Sequence, residues 1–172
     1  MVGIEFEFRY FPSNLGFGLQ TGFNTTNAKS EVETPRDLFG RGKYTSTYGF
    51  LVIPVVANLY YRIDFESSNN FVLLGGGAGY YFGRMKWNEK AKNSLGRVVY
   101  DEEVEGWQSK IGFQLLVEYD YVWDIGLTAF AGIKYSFVQF DKFGGEFGDV
   151  FDGIGFKAGL GFALYFGAGY LF

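Results

Sequence analysis

Long segments of this chain alternate strictly between large apolar residues and small or polar ones, and this alternation limits the possible folds most strongly. In 107–121 the odd positions include Phe113 and Leu115, whereas the even positions include Gln114 and Glu118. A period of two residues is typical of β-strands whose two faces meet different surroundings. Seven segments with this pattern are predicted as strands: 2–11, 15–24, 44–65, 71–87, 107–121, 125–140 and 154–172.

The connections between these segments alternate between short and long. Turns are predicted at 12–14, 67–70 and 122–124, and polar loops at 25–43, 88–106 and 141–153. The segments 29–43, 84–106 and 141–152 hold 22 of the 34 charged residues, so the strands and turns keep only the remainder. One smooth end and one looped end are typical of an up-and-down outer-membrane barrel.

The composition favours a membrane barrel over a soluble domain. Aromatic residues make up 22% of the chain and 26 of its 172 residues are Gly, whereas Gly is about 7% of ordinary proteins. One face of each strand is bulky and the other is largely Gly, Ala and Ser. Because the interior of an eight-stranded barrel barely accommodates side chains, the small face is expected inside. We therefore predict an all-β, up-and-down antiparallel transmembrane β-barrel of about eight strands, formed by a single domain over 1–172.

The strand count leaves two arrangements open, because an antiparallel barrel closes with an even number of strands. Either a first strand lies upstream of Met1, or the long final run 154–172 accounts for two strands. Met1 leads directly into a strand pattern without a signal peptide, so we interpret the chain as a mature or trimmed form.

The small face carries five acidic and five basic residues. Unpaired charges are very costly in a narrow interior of low dielectric constant, so they are expected to pair across strands. We expect a salt-bridged plug that fills the barrel, with a polar conduit as the alternative. The predicted lumen charge network comprises Glu5, Glu7, Arg9, Arg62, Asp64, Lys110, Glu118, Asp120, Lys134 and Lys157.

Trp and Tyr residues gather near the predicted strand ends. Amphipathic rings of this kind form girdles at the two membrane–water interfaces. The predicted girdle residues are Tyr60, Tyr61, Trp87, Trp107, Tyr119, Tyr121 and Trp123.

Several function classes are excluded by what the chain lacks. It contains no Cys and no His, which removes the commonest general base and the commonest metal ligand. The net charge of −4 argues against a nucleic-acid partner. We predict that the protein is not an enzyme and has no catalytic residue, metal or cofactor. The acidic run 101–105 could bind a divalent cation, but a solvated loop is the simpler interpretation.

Two neighbouring stretches resemble a known family. The stretch 53–63 reads IPVVANLYYRI and 71–82 reads FVLLGGGAGYYF. They resemble the small bacterial outer-membrane β-barrels that include the OmpW-like and OmpA-like barrels, in which a Pro-containing strand ending in an aromatic–basic pair precedes a Gly-Gly-x-Gly-Tyr strand. The terminal Tyr170-Leu171-Phe172 is similar to the family's C-terminal aromatic signature.

This resemblance implies location in the outer membrane of a Gram-negative bacterium. It implies membrane lipid and lipopolysaccharide as partners, together with the barrel-assembly machinery, which would recognise Phe172. Members of the family include porin-like channels, structural anchors and adhesins.

Three hypotheses for function stay open. The first is a narrow channel or a structural and surface protein with a salt-bridged lumen. The second is a barrel whose long loops bind a ligand or a surface. The third is a soluble lipocalin-like carrier, whose apolar face would point inward around an apolar ligand.

Overall fold

The protein is all-β in a computed structural model that describes residues 2–37, 40–65, 69–140, 143 and 158–170. No helix in this part of the chain has the length and apolar character needed to span a bilayer. The described residues form seven strands: β1 (Val2–Tyr10), β2 (Leu15–Asp37), β3 (Gly40–Asp64), β4 (Asn70–Lys92), β5 (Val98–Val122), β6 (Leu127–Phe140) and β7 (Ala158–Tyr170).

The strands form one antiparallel meander in which each strand pairs with the next along the chain, from β1 to β7. This confirms the predicted up-and-down antiparallel architecture. The described residues contain seven strands rather than the expected eight. The sheet is strongly curled, as the ion pair between Lys134 on β6 and Glu5 on β1 shows. Twist and curl of this kind turn an open sheet into part of a barrel.

Two predicted loops are strands instead. The β2–β3 ladder continues through the polar segment 25–43 as far as the Asp37–Gly40 pair. The β4–β5 ladder continues through 88–106 as far as the Lys92–Val98 pair. The prediction of loops was wrong here because polarity alone does not exclude a strand: Thr, Val and Tyr favour extended backbone, and opposite charges pair across strands. The third predicted loop, 141–153, lies outside the described residues apart from Phe143.

Two tight turns, one between β5 and β6 and one at the tip of the long β4–β5 hairpin, have glycine where the backbone is left-handed. Gly126 has a φ of 81° and ends the turn in which the Trp123 amide donates to the Leu127 carbonyl at 2.8 Å. Gly96, with a φ of 75°, occupies the corresponding place between β4 and β5. Only glycine adopts this left-handed conformation without strain. Because the turn extends to Gly126, β6 begins at Leu127 rather than at the predicted 125.

The bulky face of the sheet points outward. Phe113, Leu115 and Val117 on β5 are 58%, 58% and 51% exposed, whereas the intervening Gln114 and Leu116 are buried. The same alternation of exposed and buried positions recurs in β3 and β6. The structure therefore places the faces as the size argument predicts.

The sequence pattern predicted an inner face of small and polar residues. The structure shows that this face also carries large apolar side chains. A large apolar cluster occupies the half nearer the long hairpins, and a smaller one lies near the short turns. The polar residues lie between these clusters, so the interior has apolar layers on both sides of a polar layer. The first cluster comprises Phe50, Val52, Val56, Tyr81, Met85, Val104, Val138, Phe140 and Phe143, and the second comprises Tyr60, Phe71, Leu73 and Leu116.

Candidate functional site

A connected group of charged and amide side chains lies on the inner face between the two apolar clusters. Strands β1, β2, β3, β5 and β6 contribute to it, and we call it the central polar cluster. Its members are Glu5, Glu7, Arg9, Gln20, Asn58, Gln114, Glu118 and Lys134.

Ion pairs across the interior form the charged part of this cluster. Arg9 on β1 donates to both carboxylate oxygens of Glu118 on β5, with Nη2 3.0 Å from Oε2. The same guanidinium donates from Nε to Glu7 Oε2 at 2.8 Å. Lys134 on β6 donates to Glu5 on β1. Charge-assisted and bidentate bonds are the strongest hydrogen bonds in proteins. The bonds made by Arg9 and Lys134 therefore hold β1 against β5 and β6.

Three amide side chains connect these ion pairs. Gln114 Nε2 donates to Gln20 Oε1 at 2.5 Å and to Asn58 Oδ1 at 2.8 Å. Gln20 in turn donates to Glu5 at 2.6 Å, and Asn58 donates to Glu7 at 2.8 Å. The sequence prediction named only charged residues and missed these amides, although they occupy the same parity of positions as the predicted lumen charges.

Glycines on the inner face make room for this packing. A Cβ added to Gly75 would lie 2.8 Å from the ring of Tyr60, which is 1% exposed and donates its hydroxyl proton to Glu7. Gly75 and Gly77 on β4 are therefore explained by the close approach of the Tyr60 and Asn58 side chains from β3.

Three further predicted lumen charges, Arg62, Asp64 and Lys110, lie apart from the central polar cluster, and Asp120 lies at its edge. Arg62 and Asp64 form a pair at 2.6 Å near the short turns, and Arg62 also stacks on Phe71, with 4.1 Å from its Cζ to the ring centroid. Lys110 lies on the inner face towards the long hairpins, opposite Tyr81 in register. Asp120 is buried beside Glu118 on β5. Lys157 lies outside the described residues.

The predicted girdle residues divide between the two faces. Tyr61, Trp107, Tyr119, Tyr121 and Trp123 point outward and are exposed. The rings of Tyr121 and Trp123 meet edge to face with centroids 5.0 Å apart.

Two residues assigned to the girdle are corrected by the structure. Tyr60 is buried in the interior, and Trp87 is half-buried, packs on the larger apolar cluster and donates to Ser46 Oγ at 2.8 Å. The assignment relied on position along the strand, whereas the parity of each residue decides which face it occupies.

The hairpin extension of β4 and β5 carries a ladder of ion pairs on its outer face. Lys90 lies 2.6 Å from Asp101, and Lys86 lies 2.6 Å from Glu103. Arg84 donates to Glu105 and holds the pKa of that carboxyl below its usual value. The acidic run is thus part of a strand with basic partners, not the solvated loop that was expected.

The β2–β3 extension has its own charge triad. Glu31 lies 2.5 Å from Lys29 and 2.6 Å from Lys43. Hydrogen bonds from the two ammonium groups lower the pKa of Glu31 to about 2. Both extensions are therefore stabilised by cross-strand charge pairing.

A shallow groove of about 650 Å³ crosses the outer face. Its floor includes the small residues Ala57, Gly76 and Ala78, and its walls include Phe17 and Phe113. The lining of the groove is almost entirely apolar.

The arrangement of charges is that of a packed interior rather than of an open reaction centre. In the central polar cluster the acids and bases bind one another, and Gln114 and Asn58 are fully buried. Among the described residues no group of three or more Asp or Glu side chains is arranged to hold a metal ion. Comparison with family models, with curated proteins and with solved structures finds no match to this chain.

Proposed function

We propose that this protein is an integral β-barrel protein of a bacterial outer membrane, with a structural or surface role and a non-conducting interior. The observation that carries the proposal is the exposed apolar belt on a sheet whose inner face is polar. Water-soluble proteins rarely expose apolar patches larger than a few hundred Å². A bilayer is the solvent that suits such a belt.

The dimensions of the belt agree with a membrane. On β4 the outward apolar and small residues run from Val72 to Phe82, and on β5 they run from Ile111 to Tyr121. Each run covers 11 residues, or about 33 Å of strand. At a tilt of about 40° this spans roughly 25 Å, the height of the apolar band in outer-membrane barrels.

Basic residues mark the boundary of the apolar belt on the side of the long hairpins. Directly beyond Phe82 the outer face of β4 carries Arg84 and Lys86, and Trp107 lies opposite Arg84 in register. The guanidinium of Arg84 lies 5.1 Å from the centroid of the Trp107 ring. A Trp–Arg pair at the edge of an apolar band suits the headgroup region, where membrane lipid and lipopolysaccharide would be its partners.

The packed interior favours a structural role over a channel. The central polar cluster crosses the interior from β1 to β5 and β6, with apolar clusters on both sides of it. A conduit would require a continuous file of water, whereas here the members of the central polar cluster donate hydrogen bonds to one another across the interior. The same orientation argues against a soluble carrier, whose bulky side chains would have to surround an enclosed ligand.

Closure of the barrel requires one more strand. In an antiparallel meander the first and seventh strands run in the same direction, so β1 and β7 cannot pair in the antiparallel manner of the other strands. We propose that an eighth strand, antiparallel to both, lies between them. The proposed recognition of Phe172 by the barrel-assembly machinery concerns a residue outside the described part of the chain.

A second candidate function is supported by the long hairpins. Strands β2 to β5 stay paired beyond the belt, and the tip of β4–β5 exposes Leu95, Val99 and Tyr100. This paired extension forms a surface that could bind a ligand or another cell. Binding of cells or matrix by the wild type, lost when 93–97 is replaced by a two-residue turn, would support this function.

The membrane proposal is tested by extraction and by electrical recording. We expect the protein to require detergent for extraction, to show heat-modifiable mobility on gels, and to produce no stable conductance in planar bilayers. Purification as a monomer without detergent would overturn the membrane assignment. Steady single-channel currents would be consistent with a membrane location but would contradict the proposal that the interior does not conduct ions.

A further inference from the structure

Two buried oxygens on the inner face have no hydrogen-bond partner among the described residues. Asp120 is 2% exposed and its Oδ2 is unsatisfied, and Thr128 is 5% exposed and its Oγ1 is unsatisfied. Asp120 is paired with Phe130 and Thr128 with Val122, so the two residues are diagonal neighbours on the same face of adjacent strands. Buried polar groups are nearly always hydrogen-bonded, so these oxygens indicate a missing partner.

The charges around them point to a positive partner. Among the described residues, the interior around the central polar cluster holds four carboxylates, Glu5, Glu7, Glu118 and Asp120, and two cationic groups, Arg9 and Lys134. The neighbouring Arg62 is paired with Asp64 and adds no net charge. Lys134 binds Glu5, and Arg9 binds both Glu7 and Glu118. The Asp120 carboxylate forms no ion pair in the described part of the chain. Negative charge in excess by two is costly in a low-dielectric interior unless cations or protons compensate it.

A third oxygen lies nearby on β7. The ring of Tyr165 lies over Gly132, where an added Cβ would be 2.7 Å from its hydroxyl oxygen. Gly132 is the register partner of Glu118, so this hydroxyl faces the carboxylate pair of Glu118 and Asp120. The Tyr165 hydroxyl also has no hydrogen-bond partner among the described residues.

We propose that an alkali metal cation, Na⁺ or K⁺, binds on the inner face between Asp120 Oδ2 and Thr128 Oγ1. One free carboxylate oxygen and neutral hydroxyls match a singly charged ion that prefers oxygen ligands. Ca²⁺ normally takes six to eight oxygens with several carboxylates, and softer metals prefer His or Cys, of which the chain has none. The bound ion neutralises Asp120 and stabilises the contact between β5 and β6.

The test measures the thermal unfolding midpoint of the folded full chain while NaCl or KCl replaces choline chloride at constant ionic strength. A ligand that binds only the folded state raises its stability, so we expect a saturable rise of several degrees with Na⁺ or K⁺. Asp120→Asn removes the anionic ligand and should abolish this rise. Thr128→Val keeps the shape of the side chain and should shift half-saturation to at least about threefold higher cation concentration.

Asp101→Asn is the control, because Asp101 is a carboxylate on the hairpin extension, away from Asp120, and already has Lys90 as its partner. This variant should keep the wild-type cation response. If Asp120→Asn fails to fold, Thr128→Val and the wild type still decide the matter. The same midpoint in NaCl, KCl and choline chloride would overturn the proposal. So would a midpoint that depends on pH alone, because a proton would then be the compensating charge.

Discussion

The guanidinium of Arg9 donates two hydrogen bonds to the carboxylate of Glu118, 109 positions further along the chain. The two residues lie on β1 and β5, which are four strands apart in the sheet order. The Glu118 side chain is completely buried. This pair spans the interior and holds the curl of the sheet.

Removing one member of this pair should strongly destabilise the fold. Arg9→Met leaves Glu118 as an uncompensated buried charge, and we expect unfolding in denaturant to be easier by about 3 kcal/mol or more. The matched surface change is Asp101→Asn, which breaks the exposed pair with Lys90 and should cost about 0–1 kcal/mol. Equal effects of the two substitutions would contradict the interior role of Arg9.

The belt predicts an unusual response to charge on its surface. Leu115 is exposed and lies near the middle of the apolar run on β5, so Leu115→Arg should destabilise the protein in lipid vesicles by about 2–4 kcal/mol. On a water-facing surface the same change would usually stay within about 0.5 kcal/mol. Val99→Arg, on the exposed hairpin tip, is the control and should be nearly neutral. A neutral effect of Leu115→Arg in vesicles would contradict the membrane assignment.

Two adjacent glycines should respond differently to the addition of one methyl group. At Gly75 a Cβ would press on the ring of Tyr60 at 2.8 Å, so Gly75→Ala should cost about 1–3 kcal/mol. At Gly76, on the outer face, the nearest atom belongs to Leu115 at 3.4 Å. Gly76→Ala should therefore be neutral or slightly stabilising. Denaturant unfolding of both variants checks the prediction, and a reversed order would contradict the assignment of the two faces.

The β2–β3 hairpin extension should loosen in acid. Lys29 and Lys43 lower the pKa of Glu31 to about 2 in the folded hairpin, whereas the pKa of Glu in an unfolded chain is about 4.3. The contribution of the triad is therefore present above about pH 4.3 and is lost as the pH falls towards 2. Hydrogen exchange of the strand amides around Ser30 and Thr45, corrected for intrinsic rates, should speed up over this range. Glu31→Gln should show no such transition, and a transition that persists in this variant would assign the effect to another group.

The sequence by itself predicted the strand positions and the orientation of their faces. Alternation in segments such as 107–121 sufficed because side chains on a strand point to opposite faces with a period of two. The prediction failed for 25–43 and 88–106. In these two segments both faces of the strands are polar, so the alternation of apolar and polar residues disappears. The backbone nevertheless pairs with the neighbouring strand.

The partners within the interior could not be predicted from local pattern. Parity indicated that Glu5, Arg9 and Glu118 share the inner face, but many pairings satisfy that condition. The neutral Gln114 and Asn58 were missed because neither carries a charge that demands compensation, although their amides connect the ion pairs.

Local sequence determined the alternation, the turn near 122–124 and the antiparallel order, because each depends on residues near one another along the chain. The tertiary structure alone decided that Arg9 meets Glu118 and that Lys134 meets Glu5. Those contacts depend on the curl of the whole sheet, which sums the twist of seven strands and brings together residues more than a hundred positions apart.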